Sequence, residues 1–564
     1  MSRRSVYYGS FGGMDVNAKN ASFASDCMNF AIDESGSVMK SRGLLLYKTA
    51  PADIDAVWAG TLGGRKAIVY LSGGYLYDLD PDTDVTSATS VSAAARAAFF
   101  KFEGALYALC DTGYFRYDGT NLVSVDGYVP LISVSTSPSG AGTAYEAVNM
   151  LTSLRRQLFS PDGAEDCFHL AEKNIDHVES VVFDGETVEP ENYTVDTANG
   201  TVTLTGAPYE SVNTLEITYG MPSSGRSEFL KYQNAMLFGS DADARVFLWH
   251  NADKPCFRIH SELADGVPSA EYFPVNAYTS VGSSPITDIV QEYGKQLIFA
   301  SDAAYYSYCE MKTGVSGKAY ASFPVYPLHP SKGNLIYGSG VAANGFPVTL
   351  CSDGLNIWQP TNVETEKNAH CVSSPVKPYL IPETHGLAAN AKIFDLASES
   401  ELYVVCTSCL LVYNYVSKRW YRLENDGISN IFECFGTVYA TAGKKIYKML
   451  YSVRTHASRY KTHYSELGSA ALKDILFVNL TLEAGSVTAG SVAVYWPGDG
   501  KTHKVEKEFS VAAAQSGNAV TVAVPFFIPS VSGVALEFKC PAAKELKILG
   551  YGITFEEKGG NDGL

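Results

Sequence analysis

The sequence predicts an all-β chain: a β-propeller of about seven blades, with a small β-sandwich inserted among them and a second β-sandwich at the C-terminal end. Three observations carry the prediction. A hairpin pattern recurs in about seven copies, spaced roughly 35–60 residues apart, and a period of that length with internal strands marks a propeller or an array. The 36 Tyr, 27 Phe and 49 Gly favour strands joined by tight turns. No stretch repeats apolar residues at the helical period for long enough to argue a long helix.

The clearest copy is Gly104-Ala-Leu-Tyr-Ala-Leu-Cys-Asp-Thr-Gly-Tyr-Phe-Arg-Tyr-Asp-Gly119. An apolar strand from Ala105 to Cys110 meets a turn at Asp111-Thr-Gly113, and the returning strand ends on Tyr117. Related hairpins lie at Lys66 to Tyr77, Asn234 to Trp249, Gln296 to Tyr308, Pro347 to Trp358, Glu401 to Tyr413 and Gly436 to Tyr447. Residues 1–50 read as a lead-in, with Ala31 to Lys40 a small hairpin and part of 30–50 supplying the strand that closes the last blade. Blades occupy 51–126. The segment 127–225 interrupts them: after a loose linker at Ser133 to Gly142 come strand-like runs of about five residues, punctuated by Asp162-Gly163, Asp184-Gly185 and Asn199-Gly200. Short alternating strands with such turns predict an independent sandwich. Blades resume over 226–450, with long connections at Pro255 to Tyr278, Thr313 to Asn334 and Gln359 to Asn390 where partner contacts are expected. Residues 451–564 break the repeat, alternate cleanly in longer strands, and read as a C-terminal β-sandwich with a tail from Glu556.

Charge and cysteine usage exclude several classes. With 43 Lys and Arg against 60 Asp and Glu, the formal charge is −17, so the chain is not built to grip phosphates by counterion release. It suits nucleic acid sliding past a repelling wall. Eleven scattered cysteines form no disulfide framework and fit folding in a reducing cytoplasm. The N-terminal residues show no secretory signal, and no apolar run is long enough to span a bilayer.

The search for chemistry yields no catalytic, cofactor-binding or metal-binding residue, and the chain is not expected to be an enzyme. The pairs Tyr75/Tyr77 and Tyr114/Tyr117 recur at matching places in their hairpins, so blade packing is favoured over a binding stripe. The carboxylate-rich run Asp78 to Asp84 lacks the Gly and the terminal Glu of a calcium loop and reads as a solvated turn. Cys406-Thr-Ser-Cys409 has neither a helix N-terminus to activate a thiol nor a second pair to complete a zinc site, which leaves a buried inert pair. Ser352-Asp-Gly-Leu-Asn-Ile-Trp358 and Ser301-Asp302 echo a sialidase-type blade turn, but the pattern does not hold across the copies. Paired carboxylates from distant loops keep a glycan-binding or glycan-cleaving propeller used in host recognition as the rival reading.

The opening pattern resembles the lead-in of virion proteins from tailed bacteriophages: Gly12-Gly-Met-Asp15, Asn29-Phe-x-Ile-Asp33, then Gly36-Ser-Val and Lys40-Ser-Arg-Gly43. The insertion, at Phe159-Ser-Pro-Asp-Gly163, Tyr193-Thr-Val-Asp196 and Gly200-Thr-Val-Thr-Leu204, is similar to the β-module those proteins carry between blades. In short-tailed phages, proteins of this build are tail nozzle and packaged-DNA stabilisation (head-completion) proteins. The resemblance implies a homo-oligomeric structural ring, six-fold, in the tail nozzle or the head–tail connector. Such a ring continues the DNA channel below the portal and its adaptor, helps to retain packaged DNA until ejection, and offers docking surfaces to tail fibres or spikes. It would be assembled in the host cytoplasm, would let genomic DNA pass without reading its sequence, and needs no cofactor.

Overall fold

In the computed structural model, residues 3–558 are described except 240–243, 314–318, 361–366, 386–389, 454, 484–487, 512–518 and 543. The hairpin turn at 240–243, parts of the connections 313–334 and 359–390, and the tail beyond 558 thus lie outside the described residues. Strands dominate; the α-helices among the described residues are Arg226–Phe229 and Lys377–Thr384. Seven four-stranded sheets form the blades of a β-propeller. Numbered along the chain, blades 1 to 6 run over 54–94, 97–124, 234–280, 286–329, 341–371 and 392–424. Blade 7 runs over 430–453 and takes Arg42–Thr49 as its fourth strand, with Tyr447 opposite Leu46 and Met449 opposite Leu44.

The chain divides into two compact units. One comprises 55–300 and 305–327 and holds blades 1 to 4 and the inserted module. Blade 2 shows why the hairpin repeats. Its strand Ala105–Cys110 is buried along its whole length, with Ala97–Phe102 on one side and Tyr114–Tyr117 on the other. A strand covered on both faces must be apolar at every position, so the alternation expected of a half-buried strand is absent. The aromatics after the turn pack inward: Tyr114 lies 5.2 Å from the Phe229 ring and donates to the Ala270 carbonyl at 2.9 Å, and Tyr117 donates to Asp78 at 2.8 Å.

The inserted module is a sandwich of a six-stranded and a three-stranded sheet. Its own core joins Phe159, Phe168, Val181, Val202, Leu215, Ile217 and Tyr219. The linker expected at 133–142 is ordered in its first part, because Leu131–Thr136 is a strand running parallel to Leu154–Phe159. Its Ser and Thr side chains conceal it from a hydrophobicity reading, and they hydrogen-bond locally, as Ser133 does with Thr136 at 2.7 Å. The long connections expected within 226–450 are likewise less open than their composition implies. Phe257–His260 and Tyr278–Ser280 are the outer strands of blade 3, Val325–His329 is the last strand of blade 4, and Lys367–Cys371 that of blade 5. Outer strands face solvent on one side, so their sequences carry polar residues and read as loops.

The other unit comprises 1–54, 301–304 and 328–564 and holds blades 5 to 7 and the C-terminal sandwich. Here the expected boundaries need correction. The lead-in 1–50 is not a segment of its own: Arg3–Tyr8 pairs antiparallel with Lys547–Glu557, and Phe30–Ile32 with Val38–Lys40 extends the same sheet. Gly13–Met14 and Phe23–Met28 extend the second sheet through Ser458–Thr462. The physical reason is core filling. Phe11, Met14, Phe30, Ile32 and Val38 are buried against Tyr460, Phe538, Tyr551 and Ile553, and without them the sandwich of 451–564 would expose that apolar face to water.

Candidate functional site

The unit that carries the sandwich has a groove of about 1050 Å³ on the outer face of its second sheet, where the lead-in, blade 6 and the strands after 456 meet. Asn29 organises it. Its backbone sits at φ 59°, a left-handed conformation that asparagine tolerates better than most residues. From there its side chain donates to Glu424 at 3.0 Å and to the Ala457 carbonyl at 2.9 Å, while its side-chain oxygen accepts from the Glu424 amide at 2.9 Å. The Asn29 carbonyl accepts from the hydroxyls of Ser41 and Ser458, at 2.9 and 2.8 Å. One residue thereby ties three separate stretches of chain.

The neighbouring residues of the lead-in serve the same junction. Gly13 has φ 92°, and a β-carbon there would stand 3.1 Å from the Trp420 carbonyl oxygen and from Arg419 Cβ. Gly36 has φ 85° and would place a β-carbon 2.8 Å from Ser10 Cβ. Arg419 donates to the carbonyls of Asp33 and Glu34 at 2.8 and 3.0 Å. Lys40, itself buried, donates to the carbonyls of Pro541, Ala542 and Lys544.

Charges on the groove face are paired across strands. Asp26 lies between Arg422 at 2.7 Å and Arg459 at 2.8 Å. His456 contacts Glu424 at 2.9 Å through Nδ1 and Asp426 at 2.8 Å through Nε2. Further along, Glu506 accepts from Lys504, Ser491 and Lys539 at 2.7, 2.6 and 2.9 Å. These donors hold its carboxyl down to about 2. Tyr495 donates to Glu537 at 2.7 Å, with the Lys461 ammonium 4.2 Å from its ring centre. Cys27, under the groove, is pushed up to about 12 by burial. Asp26, Glu506 and Glu537 face lysine or arginine here, so the arrangement can hold strands together or present a mixed-charge surface. Among the described residues, no group of three or more His, Cys, Asp or Glu is placed to hold a metal ion.

The positions weighed from the sequence lie elsewhere. Tyr77 stacks on Tyr70 at 5.2 Å within blade 1, and Tyr75 is exposed beside it. In the acidic run, Asp80 accepts the amides of Asp82 and Thr83, Asp82 pairs with Lys66 at 2.9 Å, and buried Asp78 pairs with Arg65. Cys406 and Cys409 flank the blade 6 turn, both buried, with the Cys406 amide donating to the Cys409 carbonyl at 2.9 Å. Sharing a proton with Cys409, together with burial, drives the Cys406 thiol upward. Asp353 of the sialidase-like turn binds Lys332 and Asn356, each at 2.8 Å, and Trp358 is buried with its indole N–H on Thr349.

Sequence reading missed a buried acid in blade 6. Glu401 accepts from Tyr421 at 2.7 Å and from Tyr403 at 3.1 Å. Burial outweighs those bonds and pushes its carboxyl up to about 7. Asp395 is raised to about 6 by burial and by the nearby Glu433. An acid inside the run Glu401-Leu-Tyr-Val-Val is the one signal that could have pointed to Glu401.

No protein-family model matches the chain, and no curated protein matches it. Among solved structures it is similar to the WD40 domain of SCAP from fission yeast, at 8% identity and TM-score 0.29 over 74% of this chain and 97% of that one. It is also similar to Kluyveromyces lactis Hsv2, at 5% identity and TM-score 0.26 over 66% and 98%. A third is the exo-beta-1,3-galactanase of Phanerochaete chrysosporium, at 13% identity and TM-score 0.17 over 90% and 100%. Likeness of this degree says nothing of what the chain binds or does.

Proposed function

We propose that the chain is a structural virion protein of a short-tailed bacteriophage. In this reading it is the subunit of a ring in the tail nozzle or neck that continues the DNA channel below the portal, retains packaged DNA and offers docking surfaces to other tail proteins. One observation carries the reading. The residues through which the sequence resembles such proteins, Gly13, Asn29, Asp33, Gly36 and Lys40, all converge on the junction that ties the lead-in to blade 6 and to the sandwich. A pattern that fixes how three parts of a chain are joined belongs to a shared architecture rather than to a ligand. The charge of −17 suits a conduit that DNA crosses without sticking. No catalytic role is proposed, and the subunit acts by shape and surface.

Mixing the purified chain with a portal–adaptor complex and measuring mass by light scattering tests this. Formation of a stoichiometric ring, alone or on the complex, is expected. A chain that stays monomeric under both conditions while binding or cleaving a surface polysaccharide would instead establish the host-recognition reading.

A further inference from the structure

A cavity of about 340 Å³ lies in the same unit as the groove, where the lead-in, blade 6 and Leu450 of blade 7 meet. Glu401, Tyr403 and Tyr421 line it from blade 6, and Ile32, Met39 and Leu423 give it an apolar wall. Glu401 opens the strand Glu401–Val405 and has only 9% of its surface exposed; both tyrosines are buried. Tyr421 and Tyr403 donate to different oxygens of its carboxyl, at 2.7 and 3.1 Å. Neutral hydroxyls solvate a carboxylate, but they do not balance its charge.

The cations around the cavity are engaged elsewhere. Lys40 lines it, yet its ammonium binds the carbonyls of Pro541, Ala542 and Lys544. Arg419 lies two strands across from Glu401, beyond Asn414, and donates to the carbonyls of Asp33 and Glu34. Arg42 is exposed, and among the described residues the charged group that acts on Glu401 is Glu399, which opposes its ionisation. Other polar groups of the lining have partners of their own. Asp33 accepts from the Ser35 hydroxyl and the Ser37 amide, Ser41 donates to the Asn29 carbonyl, and Asn414 accepts the amides of Val416 and Ser417.

A buried carboxylate without a counter-cation is costly, and one that lines a cavity can receive its cation from a ligand. A single carboxylate supplies too few oxygens for calcium or magnesium, and the wall beside it is apolar, so the fitting cation is organic. We propose that this cavity binds an alkylammonium ion, with the ammonium on Glu401 and the hydrocarbon chain against Ile32, Met39 and Leu423. An apolar cavity of about 150 Å³ accepts one benzene ring, so this one has room for a six-carbon chain ending in an ammonium. The site does not depend on the reading of the chain as a ring subunit.

Isothermal titration of the full chain with hexylamine, and with 1-hexanol as the neutral analogue, tests the proposal. Hexylamine should bind one to one at pH 8, and 1-hexanol at least ~10-fold more weakly, the effect of losing a charge-assisted hydrogen bond. Glu401→Gln keeps the shape and should weaken hexylamine by a similar factor while leaving 1-hexanol unchanged. Ala31→Leu, which narrows the cavity from the lead-in and keeps Glu401, should weaken both; circular dichroism and the thermal midpoint verify that each variant is folded. Burial holds the proton on Glu401 up to about pH 7, so at pH 6 hexylamine should displace it. The binding heat of the wild type should then vary with the ionisation enthalpy of the buffer, and that of Glu401→Gln should not. Folded wild type that gives no saturable heat with hexylamine would overturn the proposal. So would hexylamine and 1-hexanol binding alike, or folded Glu401→Gln or Ala31→Leu binding hexylamine as the wild type does.

Discussion

Replacing Glu401 by glutamine should stabilise the protein in mildly alkaline solution and do little in mild acid. The carboxyl is buried in blade 6 against two tyrosine hydroxyls, and its pKa rises from 4.5 to about 7. Because the folded state holds this proton more tightly than the unfolded chain, stability falls as pH climbs from 4.5 through 7. Above that window the native state carries an ionised acid that costs ~3 kcal/mol relative to the unfolded chain. Glutamine keeps the shape and one acceptor and never ionises. Urea unfolding followed by tryptophan fluorescence, at pH 8 and pH 5, checks the expectation. At pH 8 the Glu401→Gln variant should be the more stable by up to ~3 kcal/mol, and at pH 5 the two proteins should agree within ~1 kcal/mol. Asp395, also raised, titrates in both proteins and cancels in the difference. A Glu401→Gln variant with the same pH dependence as the wild type would refute the reasoning, since it would place the titration elsewhere.

Other expectations can be measured alongside. Asn29→Ala loses three side-chain hydrogen bonds and the residue type suited to φ 59°, a loss of ~2–4 kcal/mol in unfolding free energy; Asn29→Gly, which relieves the backbone alone, should recover only the smaller part. Glu506, held down to about 2 by its lysine and serine donors, contributes stability above pH 4.5 that disappears as pH falls toward 2, so Glu506→Gln should flatten the acid limb of a thermal-midpoint profile. Phe168→Ala opens the separate core of the inserted module at a cost of ~3–5 kcal/mol, and hydrogen exchange should accelerate over 131–220 while the blades keep their protection. Ellman's reagent should leave Cys406 and Cys409 unmodified in the native protein, because both are buried, and react with them in urea.

How far the sequence could be read depended on how each element is covered. Blade strands buried on both faces, such as Ala105–Cys110 and Glu401–Val405, announce themselves as apolar runs, and the turns after them fix the repeat. Outer strands such as Lys367–Cys371 and Val325–His329 mix polar and apolar residues and were legible only as connections. The lead-in misled for a different reason. Its strands Phe23–Met28 and Val38–Lys40 each take one partner from residues more than 400 positions away, and local pattern holds no information about pairing at that distance. The groove was invisible for the same cause, since Asp26, Arg422 and Arg459 meet only after folding. The resemblance did mark Asn29, without revealing that its value lies in left-handed geometry.

The pairing of Arg3–Tyr8 with Lys547–Glu557 sets a timetable for biosynthesis. At 5–20 residues per second, ~30–110 s pass between the emergence of the first strand and that of its partner. The strand Arg42–Thr49 must likewise wait for 430–453 before the last blade is complete. Throughout that interval the earliest segment of the nascent chain has apolar residues without a surface to cover them, while blades 1 to 4 can form behind it. The last blade can therefore close once residue 453 has left the ribosome, whereas the sandwich becomes native only once residue 557 has. A prematurely terminated chain carries no finished sandwich, and any surface that depends on it is displayed only by chains translated through Lys547–Glu557.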